Sequence, residues 1–135
     1  MQLGGERARD CKKLIQYCLT NDVKMIISSF LLFSIILVVE NKTGDLEKAK
    51  KTVKALASLT TLEVYHPSMF VAYHAIEIQQ LHRLDFDDAL VVSCMNHKKI
   101  NHLVTQDKDF DRVTGINVLS PAKAYEMLIS QDHSK

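Results

Sequence analysis

Three stretches decide how this chain is read: Leu84-Asp85-Phe86-Asp87-Asp88-Ala89-Leu90, His102-Leu103-Val104-Thr105-Gln106-Asp107-Lys108-Asp109-Phe110-Asp111, and Ile116-Asn117-Val118-Leu119-Ser120-Pro121. Two groups of three aspartates flank one apolar segment with the pattern of a helix running into a strand. Such a unit can bring carboxylates together at one end of a sheet. Carboxylates crowded together repel and raise each other's pKa, and a hard divalent cation relieves them. A magnesium or manganese site is therefore the first expectation to test.

Working outward, the chain alternates helical and strand-like patterns. Glu6 to Leu19 carries apolar residues at Ala8, Cys11, Leu14, Ile15 and Cys18, one face of an amphipathic helix. Met25 to Ser28 is a short apolar run and predicts a strand, followed by a helix over Phe30 to Asn41 that Ser28 or Ser29 can cap. That helix is apolar nearly all round, which predicts a place in the core or in a subunit interface. Thr43-Gly44-Asp45 reads as a turn, with Asp45 capping a helix over Leu46 to Leu59. Its face of Lys48, Lys50, Lys51 and Lys54 reads as solvated surface. Leu62 to His66 predicts a second strand, stopped by Pro67, and Ser68 caps a helix through His82. Another helix starts at Asp85 or Phe86 and runs to His97. His102 to Thr105 and Ile116 to Leu119 predict the third and fourth strands, and Pro121 opens a last helix at a favourable first-turn position.

Apolar strands separated by helices imply a parallel sheet covered on both faces. The expected class is α/β, a three-layer α/β/α arrangement with a central, mostly parallel sheet. No linker, internal repeat or low-complexity tract interrupts the 135 residues, so residues 1–135 read as a single domain. The formal net charge of +1 excludes a globally basic nucleic-acid binder and leaves only a local patch for such a role. Met1 to Lys13 is charged and lacks the apolar core of a secretory leader. Met25 to Val39 is uncharged but shorter than a membrane span of about 20 residues and contains Ser28, Ser29 and Ser34. Cys11, Cys18 and Cys94 have no metal-ligand spacing and read as buried free thiols in a reducing cytoplasm.

In open parallel sheets, ligands sit at the carboxyl ends of the strands. Asp107 falls just past such an end and Asp88 lies in the first turn of the helix preceding the same strand. Thr105 can hydrogen-bond a carboxylate, a metal-bound water or a phosphate oxygen. The chemistry that suits this set is metal-assisted phosphodiester hydrolysis. Asp85, Asp87 and Asp88 also suit a helix start, and Asp107, Asp109 and Asp111 suit a loop and short helical turn, without any ion.

The three stretches together resemble the C-terminal half of a PIN domain. The Asp88-Ala89 step, the Thr105-Gln106-Asp107-Lys108-Asp109-Phe110 step and the strand ending at Pro121 stand in family order and at family spacing. The resemblance extends less sharply over Val23 to Val39 and the helices between. It implies a parallel α/β/α fold and Mg2+- or Mn2+-dependent ribonuclease activity. Small single-domain members are often VapC-like toxins, paired with an antitoxin protein and commonly homodimeric. The residues that would carry the function are Asp88 and Asp107 as catalytic metal-site carboxylates, Asp109 or Asp111 as auxiliary acids, and Thr105 in support.

Two features depart from the family pattern. Members open with a strand ending in an aspartate, whereas Met1-Gln2-Leu3-Gly4-Gly5 resembles the segment that follows it. Members also carry a glutamate early in the helix after the second strand, where this chain has Ser34 or Ile35, with Glu40 more than a turn further on. Two accounts of the first departure stand open: Met1 is internal to a longer gene product, or the chain is a degenerate member whose sheet closes over the gap or is completed by another subunit. Two functional readings follow: a ribonuclease, and a catalytically inactive module that binds protein or RNA. Two carboxylates and water would hold Mg2+ only weakly.

Other clusters carry less. His74 and His82 lie on one face of a predicted helix with no acid or cysteine at zinc-like spacing. His97, Lys98, Lys99 and His102 form a basic turn, and Arg83 and Arg112 balance the adjoining acids. No Gly-rich phosphate loop or Gly-x-Ser-x-Gly step occurs.

Overall fold

The structure is a computed structural model that describes residues 2–133; Met1, Ser134 and Lys135, which the single-domain reading includes, lie outside the described residues. In chain order the elements are α1 (Gln2–Thr20), β1 (Met25–Ser28), α2 (Ser29–Thr43), α3 (Leu46–Ala57), β2 (Leu62–Tyr65), α4 (Met69–His82), α5 (Phe86–Lys98), β3 (His102–Val104), a 3₁₀ turn (Lys108–Arg112), β4 (Asn117–Leu119) and α6 (Pro121–His133). Parallel strands alternate with helices, a mixed α/β fold. The strands pair as β1–β2 and β3–β4, each in its own two-stranded sheet. Every strand thus leaves one edge without a ladder partner among the described residues. The chain divides into two compact units, Lys24–Lys98 and the flanking segments up to Val23 and from Lys99.

In the unit Lys24–Lys98, β1 and β2 run in register from Met25↔Leu62 to Ser28↔Tyr65. The helix starts are set by side chains that satisfy otherwise unpaired amides. Ser28 Oγ accepts from Leu31 N (3.1 Å), Asp45 Oδ1 from Lys48 N (3.2 Å) and Ser68 Oγ from Val71 N (3.4 Å). Gly44 ends α2 in the left-handed conformation (φ 62), where a residue without Cβ is least strained. The centre of the unit is the α4–α5 seam, lined by Val71, Ala75, Ala89 and Ser93, all close to fully buried. Small residues let the two backbones approach closely. Ser93 Oγ donates to Val71 O at 2.8 Å, so the buried hydroxyl is satisfied.

The burial expected of α2 is not found within this chain. Phe33 and Leu37 are each 57% exposed, and only Ser29 of that helix is buried. A helix apolar on every side must turn some apolar face outward unless it is surrounded, and here it packs mainly on β1 and α3. Among the described residues no helix is long and apolar enough to cross a membrane.

In the other unit, α1 packs on α6. Tyr17 and Tyr125 meet edge to face at 5.7 Å, and Lys13 Nζ sits 5.3 Å from the Tyr125 ring centroid. Leu14, Cys18 and Ala124 are buried there. Cys11, expected to be buried, is exposed, because the cover on α1 stops at Leu14, one turn short of it. β3 and β4 pair from His102↔Asn117 to Val104↔Leu119. Backbone bonds from Asn117 N to Asn101 O (2.7 Å) and Thr105 N to Leu119 O (2.9 Å) extend the ladder at both ends. α6 begins with buried Pro121, and Ser120 Oγ accepts from Lys123 N at 3.2 Å.

Candidate metal centre

The loop after β3 is built from its own backbone outward. Thr105 is fixed at the carboxyl end of β3 by its amide bond to Leu119 O. Its Oγ1 accepts from Asp107 N at 3.1 Å, a side-chain turn that bends the chain as it leaves the strand. Asp107 then caps the 3₁₀ turn, its Oδ1 accepting from Asp109 N at 2.9 Å. Phe110 (5% exposed) and Val113 (8%) bury the other side of the turn and anchor it. The result is a loop held by consecutive local bonds, with Asp107 and Asp109 facing solvent.

One carboxylate oxygen of Asp107 and one of Asp109 lie within 4.8 Å of each other. These are hard oxygen donors, the ligand type Mg2+ and Mn2+ take, and the separation lets one ion or its water shell touch both. The bond from the Asp109 amide to Asp107 Oδ1 orients the Asp107 carboxylate and leaves it lone pairs for an ion. Arg112 Nη2 stands 3.5 Å from Asp109 Oδ1 and offsets part of the negative charge. Thr105, Asp107 and Asp109 thus form one local assembly at the position the sequence predicts. Asp111 instead lines a pocket of about 350 Å3 with His102, Phe110 and Asn117.

Asp88 belongs to the unit Lys24–Lys98. It is half-buried in the first turn of α5, and its amide donates to Asp87 Oδ1 at 3.0 Å. Phe86, two residues earlier, meets Phe30 of α2 edge to face at 6.5 Å. Since α2 starts directly from Ser28 at the end of β1, this contact holds the start of α5 beside the carboxyl end of β1. Asp87 and Asp88 also stabilise α5 by lying at the positive end of its dipole. Each unit therefore carries an aspartate at the carboxyl end of its own parallel pair.

Ser34, near the position of the family glutamate, donates its hydroxyl to Phe30 O at 2.9 Å within α2. Glu40 lies in the last turn of α2, where its carbonyl accepts from Gly44 N at 2.8 Å. Sequence reasoning missed one histidine pairing altogether. His74 meets His97 of α5 rather than aligning with His82. No spacing signal could have shown this, because it depends on how α4 crosses α5.

A family model, the PIN domain, matches residues 4–116. No curated protein gives a significant match to the chain.

Proposed function

Since the chain belongs to the PIN-domain family, we propose that it is a Mg2+- or Mn2+-dependent endoribonuclease of the VapC-like toxin kind. The observation that carries this reading is the Thr105–Asp107–Asp109 assembly, two carboxylates within 4.8 Å on a loop locked by its own hydrogen bonds. In the proposal Asp88 and Asp107 are the principal metal carboxylates. Of the two candidate auxiliary acids Asp109 fits better, because Asp111 lines a different pocket. A bound divalent cation would supply positive charge to polarise a phosphoryl oxygen and to lower the pKa of attacking water. Asp107 and Asp88 would hold the cation, with the Asp109 carboxylate in support. Thr105 Oγ1 keeps the loop bent so that Asp107 and Asp109 stay aimed at it. Arg112 Nη2, 3.5 Å from Asp109 Oδ1, steadies that carboxylate.

The substrate in this reading is single-stranded or looped RNA, whose backbone is accessible without unwinding. The partners are an antitoxin protein and a second copy of the chain. The exposed apolar residues of α2 and α4, including Phe33, Leu37, Met69 and Phe70, support such protein partners. Free thiols at Cys11, Cys18 and Cys94 suit a cytoplasmic setting. We also read residues 1–135 as one domain, since the family match runs through both compact units.

The alternative, an inactive binding module, is favoured by Ser34 standing where the family has an acid. Thermal melts with Mn2+ and gel assays on unstructured RNA separate the two. The nuclease reading expects a small rise in melting temperature with Mn2+, Mn2+-dependent cleavage, and loss of both in Asp107→Asn, with cleavage also lost in Asp88→Asn. A metal shift without cleavage favours the binding module. An unchanged metal shift in Asp107→Asn removes the site.

A further inference from the structure

A pair of exposed histidines lies outside this acidic loop. His74 on α4 and His97 in the last turn of α5 are twenty-three residues apart in sequence, yet His74 Nδ1 and His97 Nε2 stand 2.9 Å from each other. The rings stack with centroids 5.1 Å apart and planes 26° apart. On its other side His74 Nε2 faces Glu77 Oε1 at 4.0 Å, one turn further along α4. The helices that carry the pair are fixed by the buried seam beneath, where Ser93 Oγ bonds to Val71 O. All three side chains are open to solvent.

We propose that His74 and His97 form a surface site for a borderline transition-metal cation of the Zn2+ class, with Glu77 as the positioning residue. The ligand set suits such an ion. Imidazole nitrogen is a preferred donor for Zn2+, Ni2+ and Cu2+ and a poor one for Mg2+. Two imidazole nitrogens held 2.9 Å apart on two helices that pack against each other are already near the separation a shared ion requires. A carboxylate also stands near the other nitrogen of His74. A metal-bound histidine typically donates its other ring N–H to a carboxylate, which fixes the tautomer and orients the ring. Glu77 Oε1 lies 4.0 Å from Nε2, a small χ rotation short of accepting that N–H, and accepting it would leave the Nδ1 lone pair for the ion.

Without metal, one hydrogen lies between the two nitrogens, donated by one ring and accepted by the other. Loading the ion replaces this bond: the shared hydrogen leaves, and the ring that carried it takes one up on its other nitrogen through solvent, with no net release of protons. Zn–N distances of about 2.0–2.1 Å and a tetrahedral angle set the two nitrogens about 3.4 Å apart. The rings therefore separate by about 0.5 Å, within reach of small χ rotations in exposed side chains. Water completes the coordination. The site would clamp α4 to α5 at their solvent side, and it stands independently of the nuclease reading.

The test is a Zn2+ titration of the full chain, followed by thermal melting and by ring-nitrogen NMR, with Mg2+ as a parallel arm. Zn2+ is expected to raise the melting temperature by several degrees and to move the His74 Nδ1 and His97 Nε2 resonances. His74→Gln and His97→Gln should each abolish the Zn2+ effect while keeping the native helical circular dichroism and the Mg2+ response. Glu77→Gln should weaken Zn2+ binding by about tenfold or more. His82→Gln and Asp107→Asn should leave the Zn2+ shift in place. A Zn2+ shift that survives His74→Gln and His97→Gln, or ring resonances that ignore Zn2+, would reduce the pair to a hydrogen bond and overturn the proposal.

Discussion

The unit Lys24–Lys98 and the flanking unit handle apolar surface in different ways. In the flanking unit the helix pair α1–α6 closes on itself, with Tyr17 against Tyr125 and Leu14, Cys18 and Ala124 buried. Among the described residues its large exposed hydrophobic is Val104, at 43%. In Lys24–Lys98 the seam between α4 and α5 is equally tight, yet α2 and α4 turn Phe33, Leu37, Met69, Phe70 and Tyr73 to solvent. Isolated surface hydrophobics are ordinary, but a run of them along two helices marks an interaction face. The contrast teaches that hydrophobicity in a sequence states how much surface wants cover and leaves the cover unspecified.

The sharpest way to break that contrast is to compare an inward with an outward side chain. Leu90 is 4% exposed and Phe70 is 74% exposed on the neighbouring helix. Leu90→Ala should cost about 3 kcal/mol, from lost transfer free energy and an incompletely collapsed cavity. Phe70→Ser should change stability by less than about 0.5 kcal/mol, as exposed substitutions do. Urea melts at low protein concentration measure both. A loss for Phe70→Ser that matches Leu90→Ala would show that this face is covered in solution, and the division into inward and outward surface would fail.

A smaller effect distinguishes how Lys24–Lys98 holds its strand edge. Glu63 on β2 meets Lys98 Nζ at 3.0 Å and Lys24 Nζ at 3.4 Å. Hydrogen bonds first from Lys98 and then from Lys24 hold its carboxyl below the usual glutamate range. A carboxyl with a depressed folded-state pKa stabilises fully above its unfolded value and loses that contribution as pH falls through the folded value. Stability should therefore decline on acidification below the ordinary glutamate range, and Glu63→Gln should flatten that part of the curve. Both lysines are solvent-accessible, so 1 M NaCl should reduce the effect in the native protein. A Glu63→Gln profile that overlays the native one would show these ion pairs to be idle.

What was legible in the sequence was what short-range chemistry decides. Ser28, Asp45 and Ser68 cap the helices they were expected to cap, and β1, β2, β3 and β4 fall within one or two residues of their predicted limits. The loop and short helical turn of Asp107, Asp109 and Asp111 were legible for the same reason, whereas the bond of Thr105 Oγ1 to the Asp107 amide, in place of a carboxylate, a water or a phosphate, was not. Which of the two places open to α2, core or subunit interface, it would take was not legible, because an all-round apolar helix has no pattern that points outward. The His74–His97 pair depends on a helix crossing that no spacing encodes. The grouping of the four strands into two parallel pairs was equally hidden, since strand patterning gives burial without naming the neighbour.

The last test leaves stability untouched and asks whether the two units open together. Each has one buried thiol, Cys18 in the flanking unit and Cys94 in α5. Burial pushes both thiols up, Cys94 to about 11. The thiolate is the reactive form, so in the closed protein each is protected by a lack of access and by protonation. With Cys11→Ser removing the exposed thiol, labelling by a disulfide reagent measures opening alone. Rates should rise with pH only up to the range of a free thiol, about 8.5, because the reactive species is the opened one. Continued increase toward pH 11 would mean attack on the closed state. If residues 1–135 act as one domain, Cys18 and Cys94 label at the same rate under conditions where closing outruns labelling. A tenfold faster reaction at Cys18 corresponds to an opening easier by about 1.4 kcal/mol. It would identify the flanking unit as a separately opening segment, and the single family match across both units would then describe common ancestry without cooperative folding.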